Sequence, residues 1–449
     1  APAAAVTKSQ PRITERTPPV PWPRLVAASV ASTITLALAL TACSTGGNEN
    51  NGSGDGEAAS GDIRVWLVGS DTPDAARDYL KTTFEEENPG STLTIEEQSW
   101  TGLVDKLTTS LSGSDSPDVV EVGNTQSAAF TSAGYFREIT ADEFESYGGD
   151  DLLPAFVEAG TWEDKHYALP YYAGSRVVFY SPQVTGGAAV PTTLDEYVAS
   201  AKALTTPDVS GLYWPGQDWY NALPFIWENG GFIAEQGEDG TWEAGFSSEG
   251  GLKGMEQVAD LMANASHAPK DGQETDLQVP FCEGKVAYLS APTWIQWSIK
   301  APEDAETPGC ESTYGSDLTA LPLPGKDGGT ATVFGGGSNL AVASKSNNPE
   351  LAVKAYAIMM SDEYQTILAE NGLIPAKTSL AEKVPTDNPI AQAGVDAAMN
   401  TQVTPVSPKW ADVEAQNVLQ TAFTRIANGD DVKTVAEELD AKIEQILNS

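Results

Sequence analysis

The aromatic residues of this chain are the first candidates for chemistry, because the sequence contains 11 tryptophans. The densest aromatic group alternates with polar residues and comprises Trp214, Asp218, Trp219, Tyr220, Asn221 and Trp227. Aromatic faces stack on flat apolar surfaces such as the C–H faces of sugars, while carboxylate and amide groups bind hydroxyls. The pattern therefore favours carbohydrate binding. Packing in a protein core is the alternative, and the sequence leaves it open for each single tryptophan.

An enzymatic use of the acidic residues is a second hypothesis. A glycoside hydrolase needs two carboxylates across the scissile bond, and 63 acidic residues do not exclude such a pair. Against it, the chain contains no Gly-x-Ser-x-Gly, His-Glu-x-x-His or Gly-x-x-x-x-Gly-Lys motif. The glycine run at 335–337 lacks a following lysine and predicts close backbone approach in a cleft or hinge strand, so Gly336 becomes a candidate site residue. We predict that the protein is not an enzyme.

The cysteines and histidines give little support to a metal site. Of the three cysteines, Cys282 and Cys310 remain once Cys43 is assigned to lipid attachment, and we expect them to form a disulfide in an oxidising exterior. Free thiols are the alternative. The histidines are His166 and His267, and neither lies at ligand spacing from a cysteine. We therefore expect neither a metal nor a cofactor.

The first 43 residues have the pattern of a secretion signal. Basic residues precede an apolar run at 25–40, and the sequence Leu-Thr-Ala-Cys follows at 40–43. This run is short for a membrane span, which needs about 20 residues. The pattern resembles a bacterial lipoprotein signal peptide whose lipobox cysteine, Cys43, is lipidated; a retained transmembrane anchor is the alternative. Residues 44–61 are rich in Gly, Ser, Asn and acidic residues and predict a flexible tether.

Length and charge narrow the class of protein. A chain of 449 residues with 41% hydrophobic and 20% charged residues is long enough for two globular domains. Its net charge of −38 disfavours nucleic acid and anionic membrane surfaces as partners. We therefore expect contact with a membrane only through the lipid anchor.

Alternating strands and helices must position the candidate residues. Apolar patterning predicts strands at 62–68, 92–96 and 117–122 with helices between them, which implies a parallel sheet covered on both faces. The stretch 167–180 is aromatic in its first half and strand-like in its second half. We interpret it as a crossover between two lobes, with Tyr171 and Tyr172 facing the gap. An ordinary core strand is the alternative.

The chain contains a series of short motifs whose order along the sequence is typical of one family. They are Val65-Trp66, Asn88-Pro89-Gly90, Pro117-Asp118-Val119-Val120, Ala133-Gly134-Tyr135, the stretch 167–172, Pro191-Thr192-Thr193, Gly284-Lys285-Val286-Ala287, 335–337 and 371–375. In this order the chain resembles extracellular solute-binding protein family 1, the maltose-binding-protein-like carbohydrate-binding lipoproteins of ABC importers. The resemblance covers nearly all of residues 62–449.

The resemblance implies an α/β, two-lobed type II periplasmic-binding-protein fold with a hinge and an interlobe ligand cleft. The first lobe would contain residues 62–172 and 336–382, and the second lobe residues 173–335 and 383–449. It also implies a monomer that captures a sugar at the extracytoplasmic face of the bacterial membrane. The sugar would pass unchanged to the permease subunits of an ABC transporter.

The family's ligand contacts transfer to particular positions of this sequence. Trp294 and Trp410 match stacking tryptophans, Tyr220 and Asp218 match an aromatic and an acid, and the turn at 69–71 matches a polar contact. The complete expected ligand-binding set is Ser70, Asp71, Trp100, Asn124, Thr125, Gln126, Tyr172, Asp218, Trp219, Tyr220, Asn221, Trp294, Gly336 and Trp410. The residues that follow the third strand suit a cleft, because clefts form at the carboxyl ends of parallel strands.

The sequence departs from the maltose-type pattern in a way that affects the expected ligand. Val122 stands where the maltose-type pattern has a tryptophan, and amides replace an acid and a base. The run 121–126, with Trp100 upstream, is more similar to the branch that imports chitobiose or N-acetylglucosamine. Cello-, xylo- and malto-oligosaccharides are the alternatives, and a binding protein for peptides or metal chelates is a further one.

Overall fold

The computed structural model describes residues 60–69, 71–302, 309–387 and 389–449. The larger of two main sheets has six strands, in the spatial order Ile374–Pro375, Ala168–Gly174, Gly336–Val342, Val119–Gly123, Asp62–Val68 and Thr92–Gln98. The last three of these strands are parallel, as their alternation with helices predicts. Strand Gly336–Val342 runs antiparallel to both of its neighbours. The parallel arrangement predicted for the strands between residues 62 and 122 is therefore confirmed. The sheet as a whole is mixed, because strand Gly336–Val342 enters it later without a helical crossover.

The larger sheet and the helices packed on it form the first lobe. These helices are Asp74–Glu87, Leu103–Ser112, Asn124–Ser132, Ala141–Tyr147, Pro154–Ala159, Pro349–Met359 and Asp362–Glu370, with 3-10 turns at Gly149–Asp151 and Thr378–Lys383. Local sequence explains several of their ends. Thr140 caps one helix by accepting a hydrogen bond from the backbone N–H of Glu143. Asn88 ends another by donating its side-chain N–H to the carbonyl of Phe84, 2.9 Å away.

The second lobe is built on a four-stranded sheet. Its spatial order is Thr319–Pro322, Arg176–Tyr180, Val286–Pro292 and Ser210–Leu212. The helices around it are Pro182–Thr185, Leu194–Leu204, Leu223–Glu228, Glu249–Asn264, Gln278–Cys282, Ile295–Ile299, Glu311–Tyr314, Pro389–Ala398, Trp410–Ala415, Val418–Asn428 and Val432–Leu447, with a 3-10 turn at Gly315–Asp317. One aromatic and aliphatic core joins these elements.

Short strand pairs complete the fold. The hairpins Thr161–Trp162 with Lys165–His166 and Ala234–Gln236 with Trp242–Ala244 are antiparallel. Val333–Phe334 pairs in parallel with Thr401–Gln402 next to the point where the chain re-enters the larger sheet. Among the described residues no helix is both long enough and apolar enough to cross a membrane.

The predicted crossover at 167–180 is present. Strand Ala168–Gly174 belongs to the larger sheet, strand Arg176–Tyr180 belongs to the smaller one, and Ser175 joins them. The prediction that Tyr171 faces the gap is wrong. Its hydroxyl lies 2.8 Å from Thr72 Oγ1 and 2.7 Å from the hydroxyl of Tyr364, inside the first-lobe core. The pairing with strand Gly336–Val342 shifts register at Tyr171, and the rings of Tyr171 and Tyr172 lie 4.9 Å apart, so regular alternation is interrupted here. Of the two, Tyr172 lines the interlobe cavity.

Cys282 and Cys310 form a disulfide with a Cα–Cα distance of 4.5 Å. The bond closes a loop with a sequence separation of 28, which the chain-entropy account values at about 3 to 4 kcal/mol. It fastens helix Gln278–Cys282 to the segment before Glu311–Tyr314. Cys43 and Ser70 lie outside the described residues.

Candidate functional site

A cavity of about 430 Å³ lies between the two lobes and contains most of the predicted site residues. Those that line it are Asp71, Trp100, Asn124, Thr125, Gln126, Tyr172, Tyr220, Trp294 and Gly336. A volume of this size suits a small organic ligand. A larger cavity of about 780 Å³ is lined by Pro154, Trp242 and residues 401–406 among others, and none of the predicted site residues lines it. We therefore take the smaller, interlobe cavity as the candidate ligand cleft.

Two tryptophans from different lobes expose their rings at this cleft. Trp100 follows strand Thr92–Gln98 of the first lobe and is 43% exposed, while Trp294 follows strand Val286–Pro292 of the second lobe and is 42% exposed. Large exposed apolar side chains that gather in one concave region indicate a binding surface. Both rings are therefore available for stacking on a ligand.

Glycines make room for the ring of Trp294. A Cβ atom built on Gly174 would lie 2.5 Å from this ring, and one built on Gly336 would lie 3.0 Å from it. Contacts below about 3.0 Å do not occur for real Cβ atoms without movement of a neighbour. The role of Gly336 at the site is thus steric, since the missing side chain lets the indole lie against the backbone.

Tyr220 lines the cleft, but its ring is already surrounded. The ring centroid lies 3.9 Å from that of Trp219 and 4.8 Å from that of Phe334, and the guanidinium of Arg176 lies 5.2 Å from it. Trp219 is 1% exposed and Trp410 is 0% exposed, and their centroids are 6.5 Å apart in the core behind Tyr220. The structure therefore places these two tryptophans behind the wall of the cleft and not at its surface.

Asp218 and Asn221 also lie behind the second-lobe wall, in a buried polar network around Arg176. Arg176 Nη2 donates to Glu274 Oε2 at 2.7 Å, and Nη1 donates to Asn221 Oδ1 at 3.2 Å. Asn221 Nδ2 donates to Asp218 Oδ2 and to the carbonyl oxygen of Ser290, 2.9 Å away. Burial and the nearby Glu274 carboxylate raise the pKa of Asp218, against the opposing effect of Arg176.

The first-lobe wall holds two carboxyl groups around one hydroxyl. The hydroxyl of Tyr172 lies 3.0 Å from Glu121 Oε1 and 3.3 Å from Asp71 Oδ2, and the backbone N–H of Val68 donates to Glu121 Oε2 at 2.8 Å. Because Tyr172 has a single proton to donate, it can serve only one of the two carboxylates at a time. Burial raises the pKa of Glu121 to about 7, and it also raises the pKa of Asp71.

The start of helix Asn124–Ser132 connects the two lobes across the cleft. Asn124 Nδ2 donates to the carbonyl oxygen of Gly335 at 2.8 Å, and Thr125 Oγ1 donates to Glu414 Oε2 at 3.3 Å. The indole N–H of Trp410 donates to Glu414 Oε1 at 3.1 Å. Burial raises the pKa of Glu414 to about 6. Trp410 therefore does not line the cleft itself, but its hydrogen bond positions Glu414, which does.

Sequence reasoning missed several residues of the cleft. Glu274, Phe334 and Glu414 line it, and Glu121 lies directly behind Tyr172. Glu274 and Glu414 belong to no motif and are single acids among 63. Phe334 immediately precedes the glycine run, so its position next to a cleft strand was the one signal that could have identified it.

The fold and this cleft define a two-lobed binding protein, and comparison with known proteins identifies its family. The sequence profile of the family described as bacterial extracellular solute-binding protein matches residues 69–366. This is well over half of the chain, so the protein belongs to that family.

Two relatives of this chain are named as sugar-binding proteins. The chain is similar to the diacetylchitobiose-binding protein DasA of Streptomyces coelicolor, with 29% identity over 397 residues that cover 87% of this chain and 90% of the relative. It is also similar to a galactooligosaccharide-binding protein of Bacillus subtilis, with 25% identity over 69% of this chain and 72% of that protein.

Solved structures share the fold. The GacH receptor of Streptomyces glaucescens, studied without ligand and with acarbose, has a TM-score of 0.72 at 22% identity, covering 87% of this chain and 99% of that one. A cyclo/maltodextrin-binding protein in complex with maltotetraose has a TM-score of 0.73 at 21% identity, covering 87% and 98%. These findings confirm the predicted family and the two-lobed fold with a hinge, and they support the predicted function of a sugar-binding protein of an ABC importer.

Proposed function

We propose that this protein captures an oligosaccharide for an ABC importer, and that the sugar is of the chitobiose or N-acetylglucosamine type. The observation that carries the proposal is the interlobe cavity, where Trp100 and Trp294 expose their rings from different lobes. The diacetylchitobiose-binding relative, 29% identical to this chain, supports the choice of sugar. Cello-, xylo- and malto-oligosaccharides are the competing series.

Stacking would couple capture to closure. Since the two tryptophans belong to different lobes, a sugar that contacts both rings is bound fully only when the lobes approach each other. The lobes that move would be residues 62–172 with 336–382 and residues 173–335 with 383–449. Asn124, Gln126 and Tyr172 would bind hydroxyls at the first-lobe wall.

The protein would deliver its ligand and not transform it. In this proposal the closed form docks on the permease subunits of the transporter as a monomer. Lipid on Cys43 holds the protein at the extracytoplasmic face of the membrane, and residues 44–61 give it reach. Asp71, Glu121 and Glu414 would act as hydrogen-bond acceptors and not as catalytic acids.

Titration of tryptophan fluorescence tests the proposal. The soluble body from Asp62 onward is titrated with chito-, cello-, xylo- and malto-oligosaccharides and with the matching monosaccharides, while new reducing ends are assayed in parallel. We expect saturation by the chito series at about micromolar concentrations without hydrolysis. No response to any sugar would overturn the proposal in favour of a peptide or another solute, and release of reducing ends would establish a glycoside hydrolase.

A pair of variants locates the binding site. Trp294→Ala removes a ring that lines the cleft, whereas Trp162→Ala removes a half-buried ring of the Thr161–Trp162 hairpin. We expect loss of affinity in the first variant only, by about tenfold. Equal affinities in the two variants would place the sugar elsewhere.

A further inference from the structure

The charged groups of the cleft are strongly unequal in sign. Its walls contain the carboxyl groups of Asp71, Glu274 and Glu414, which line the cavity, and those of Glu121 and Asp218, which lie directly behind lining residues. Among the described lining residues Arg176 is the one cation. Three carboxyl groups and one guanidinium therefore line the cleft, and two further carboxyl groups lie directly behind its lining.

Arg176 cannot neutralise this excess. Its guanidinium is engaged by Glu274 at 2.7 Å and lies over the ring of Tyr220 at 5.2 Å. Arg77, the cation that acts on Asp71, forms an ion pair of 3.2 Å with Glu97. The cleft thus retains carboxyl groups for which its own wall supplies no cation.

The hydrogen bonds of Glu414 also supply no positive charge to its carboxylate. It accepts from the indole N–H of Trp410 and from the hydroxyl of Thr125, and both donors are neutral. A buried carboxylate with only neutral partners gains more from an additional cation than an exposed one does.

Unused hydrogen-bonding capacity in the cleft lining includes two oxygen atoms that can only accept. Oε1 of Gln126 and Oε1 of Glu274 are buried and have no hydrogen-bond partner among the described residues. Both residues line the cleft. Nε of Arg176, which is 5% exposed, is an unpaired donor in the same lining. A ligand that supplies several donors and a positive charge would satisfy most of these groups together.

We propose that the cleft takes amino sugars with free ammonium groups, that is, oligosaccharides of glucosamine-type units. An ammonium group offers three donors, no acceptor and one positive charge, and its hydrogen bonds to carboxylates are stronger than those of a hydroxyl. This inference rests on the proposed function, since it names the group at C2 of a sugar bound in the same cleft. An N-acetyl group offers one N–H without charge, and a hydroxyl offers one O–H without charge.

Three disaccharides with the same β-1,4-linked backbone test the inference. They are the dimers of glucosamine, N-acetylglucosamine and glucose, which differ at C2 and are titrated calorimetrically near pH 7, where most of the amines carry a proton. We expect the glucosamine dimer to bind at least about tenfold more tightly than the glucose dimer. This advantage should shrink several-fold between about 0.02 M and about 0.5 M NaCl, because salt screens charge pairs.

A matched pair of variants tests the charge of the cleft. Glu414→Gln removes one carboxylate while keeping the shape of the side chain, and Glu382→Gln removes the same charge from a side chain that is 74% exposed and does not line the cleft. We expect Glu414→Gln to reduce the preference for the glucosamine dimer about fivefold or more. The Glu382→Gln variant should keep that preference, and thermal unfolding of both variants verifies that they fold.

Each of the other possible results contradicts either the amino-sugar inference or the proposed function. Tightest binding of the N-acetylated or glucose dimer overturns the amino-sugar inference and leaves the proposed function intact. Preference for the glucosamine dimer that is insensitive to salt and to Glu414→Gln overturns its electrostatic basis. Failure of all three dimers and of the wider sugar panel overturns the proposed function itself.

Discussion

The two walls of the cleft both contain buried carboxyl groups, but they stabilise them in different ways. On the second-lobe wall, Arg176 forms an ion pair with Glu274 at 2.7 Å. On the first-lobe wall, Glu121 and Asp71 share the hydroxyl of Tyr172, and their hydrogen bonds come from neutral donors.

This difference separates a fixed charge from a titrating one. The guanidinium of Arg176 keeps its charge throughout the physiological pH range, because Arg does not lose its proton there. A buried carboxyl group without a cation instead takes up a proton as the pH falls, and its charge depends on the conditions. The Glu121 and Asp71 pair around Tyr172 is therefore more pH-dependent than the Arg176–Glu274 ion pair, and Glu414, with its neutral donors, resembles the former. Four predictions examine this contrast.

The largest effect is expected from breaking the ion pair. Arg176→Met leaves Glu274 and the buried Asp218 without their cation, so we expect the free energy of unfolding to fall by about 3 to 5 kcal/mol. Denaturant unfolding measures it. Lys285→Met is the control, because the Lys285 side chain is 62% exposed beside Glu283, and it should change stability by less than about 1 kcal/mol. Equal losses in both variants would contradict a structural role for the buried pair.

The second prediction concerns pH and the first-lobe wall. Burial raises the pKa of Glu121 from 4.5 to about 7. As the pH rises through this interval, the unfolded chain loses the proton that the folded protein still holds, so the free energy of unfolding falls. The total loss is about 3 kcal/mol, and it is absent from Glu121→Gln. The stability of this variant relative to the parent should thus increase between about pH 5 and about pH 8.

Glu143→Gln is the control for that experiment, since its pH dependence has the opposite sign. Although burial opposes it, hydrogen bonds from Arg137 and Thr140 hold the pKa of Glu143 below its ordinary value. Its stabilising effect is present above the unfolded-state pKa and disappears as the pH falls. A parallel pH profile for the Glu121→Gln and Glu143→Gln variants would rule out the contrast between the two sites.

The third prediction tests whether the ring of Trp294, in the second lobe, stacks on the sugar. Gly174→Ala places a methyl group 2.5 Å from the present position of the Trp294 ring and should displace it. We expect about tenfold weaker sugar binding, measured by fluorescence titration. Gly113→Ala is the matched control, because its Cβ would have 3.4 Å to its nearest neighbours. Unchanged affinity after Gly174→Ala would mean that this ring does not contact the sugar.

The smallest effect is expected at the contact between the lobes. Thr125→Val removes the 3.3 Å hydrogen bond to the buried Glu414 carboxylate, and we expect a loss of about 1 kcal/mol in the free energy of unfolding. Thr108→Val removes an exposed hydroxyl that donates to Val104 of its own helix, and it should have less effect. If the two losses are the same, the interlobe bond contributes nothing measurable.

Much of the fold could be predicted from sequence because the signals are local. The first strands and helices and the crossover near Ser175 follow from neighbouring residues. The direction of strand Gly336–Val342 could not be predicted in this way, because strand direction depends on where the chain enters the sheet.

The site was predictable only in part. Asp71 and residues 124–126 follow strand ends, where clefts form, and they do line the cavity. Glu274 and Glu414 carry no sequence signal, because they lie outside any motif and reach the cleft only through the packing of the second lobe.

The sequence by itself determined the alternating strands and helices, the crossover and a supply of aromatic and polar residues, since periodicity and turn chemistry act over a few neighbouring residues. The two-lobed class came from the resemblance of its ordered motifs to a known family. The tertiary structure alone decided which aromatic rings reach the ligand. Trp294 lies at the cleft, 42% exposed, with its ring against Gly174 and Gly336, whereas Trp219 and Trp410 are buried against each other. These contacts join segments far apart in the chain, so only the packed molecule separates a binding surface from a core.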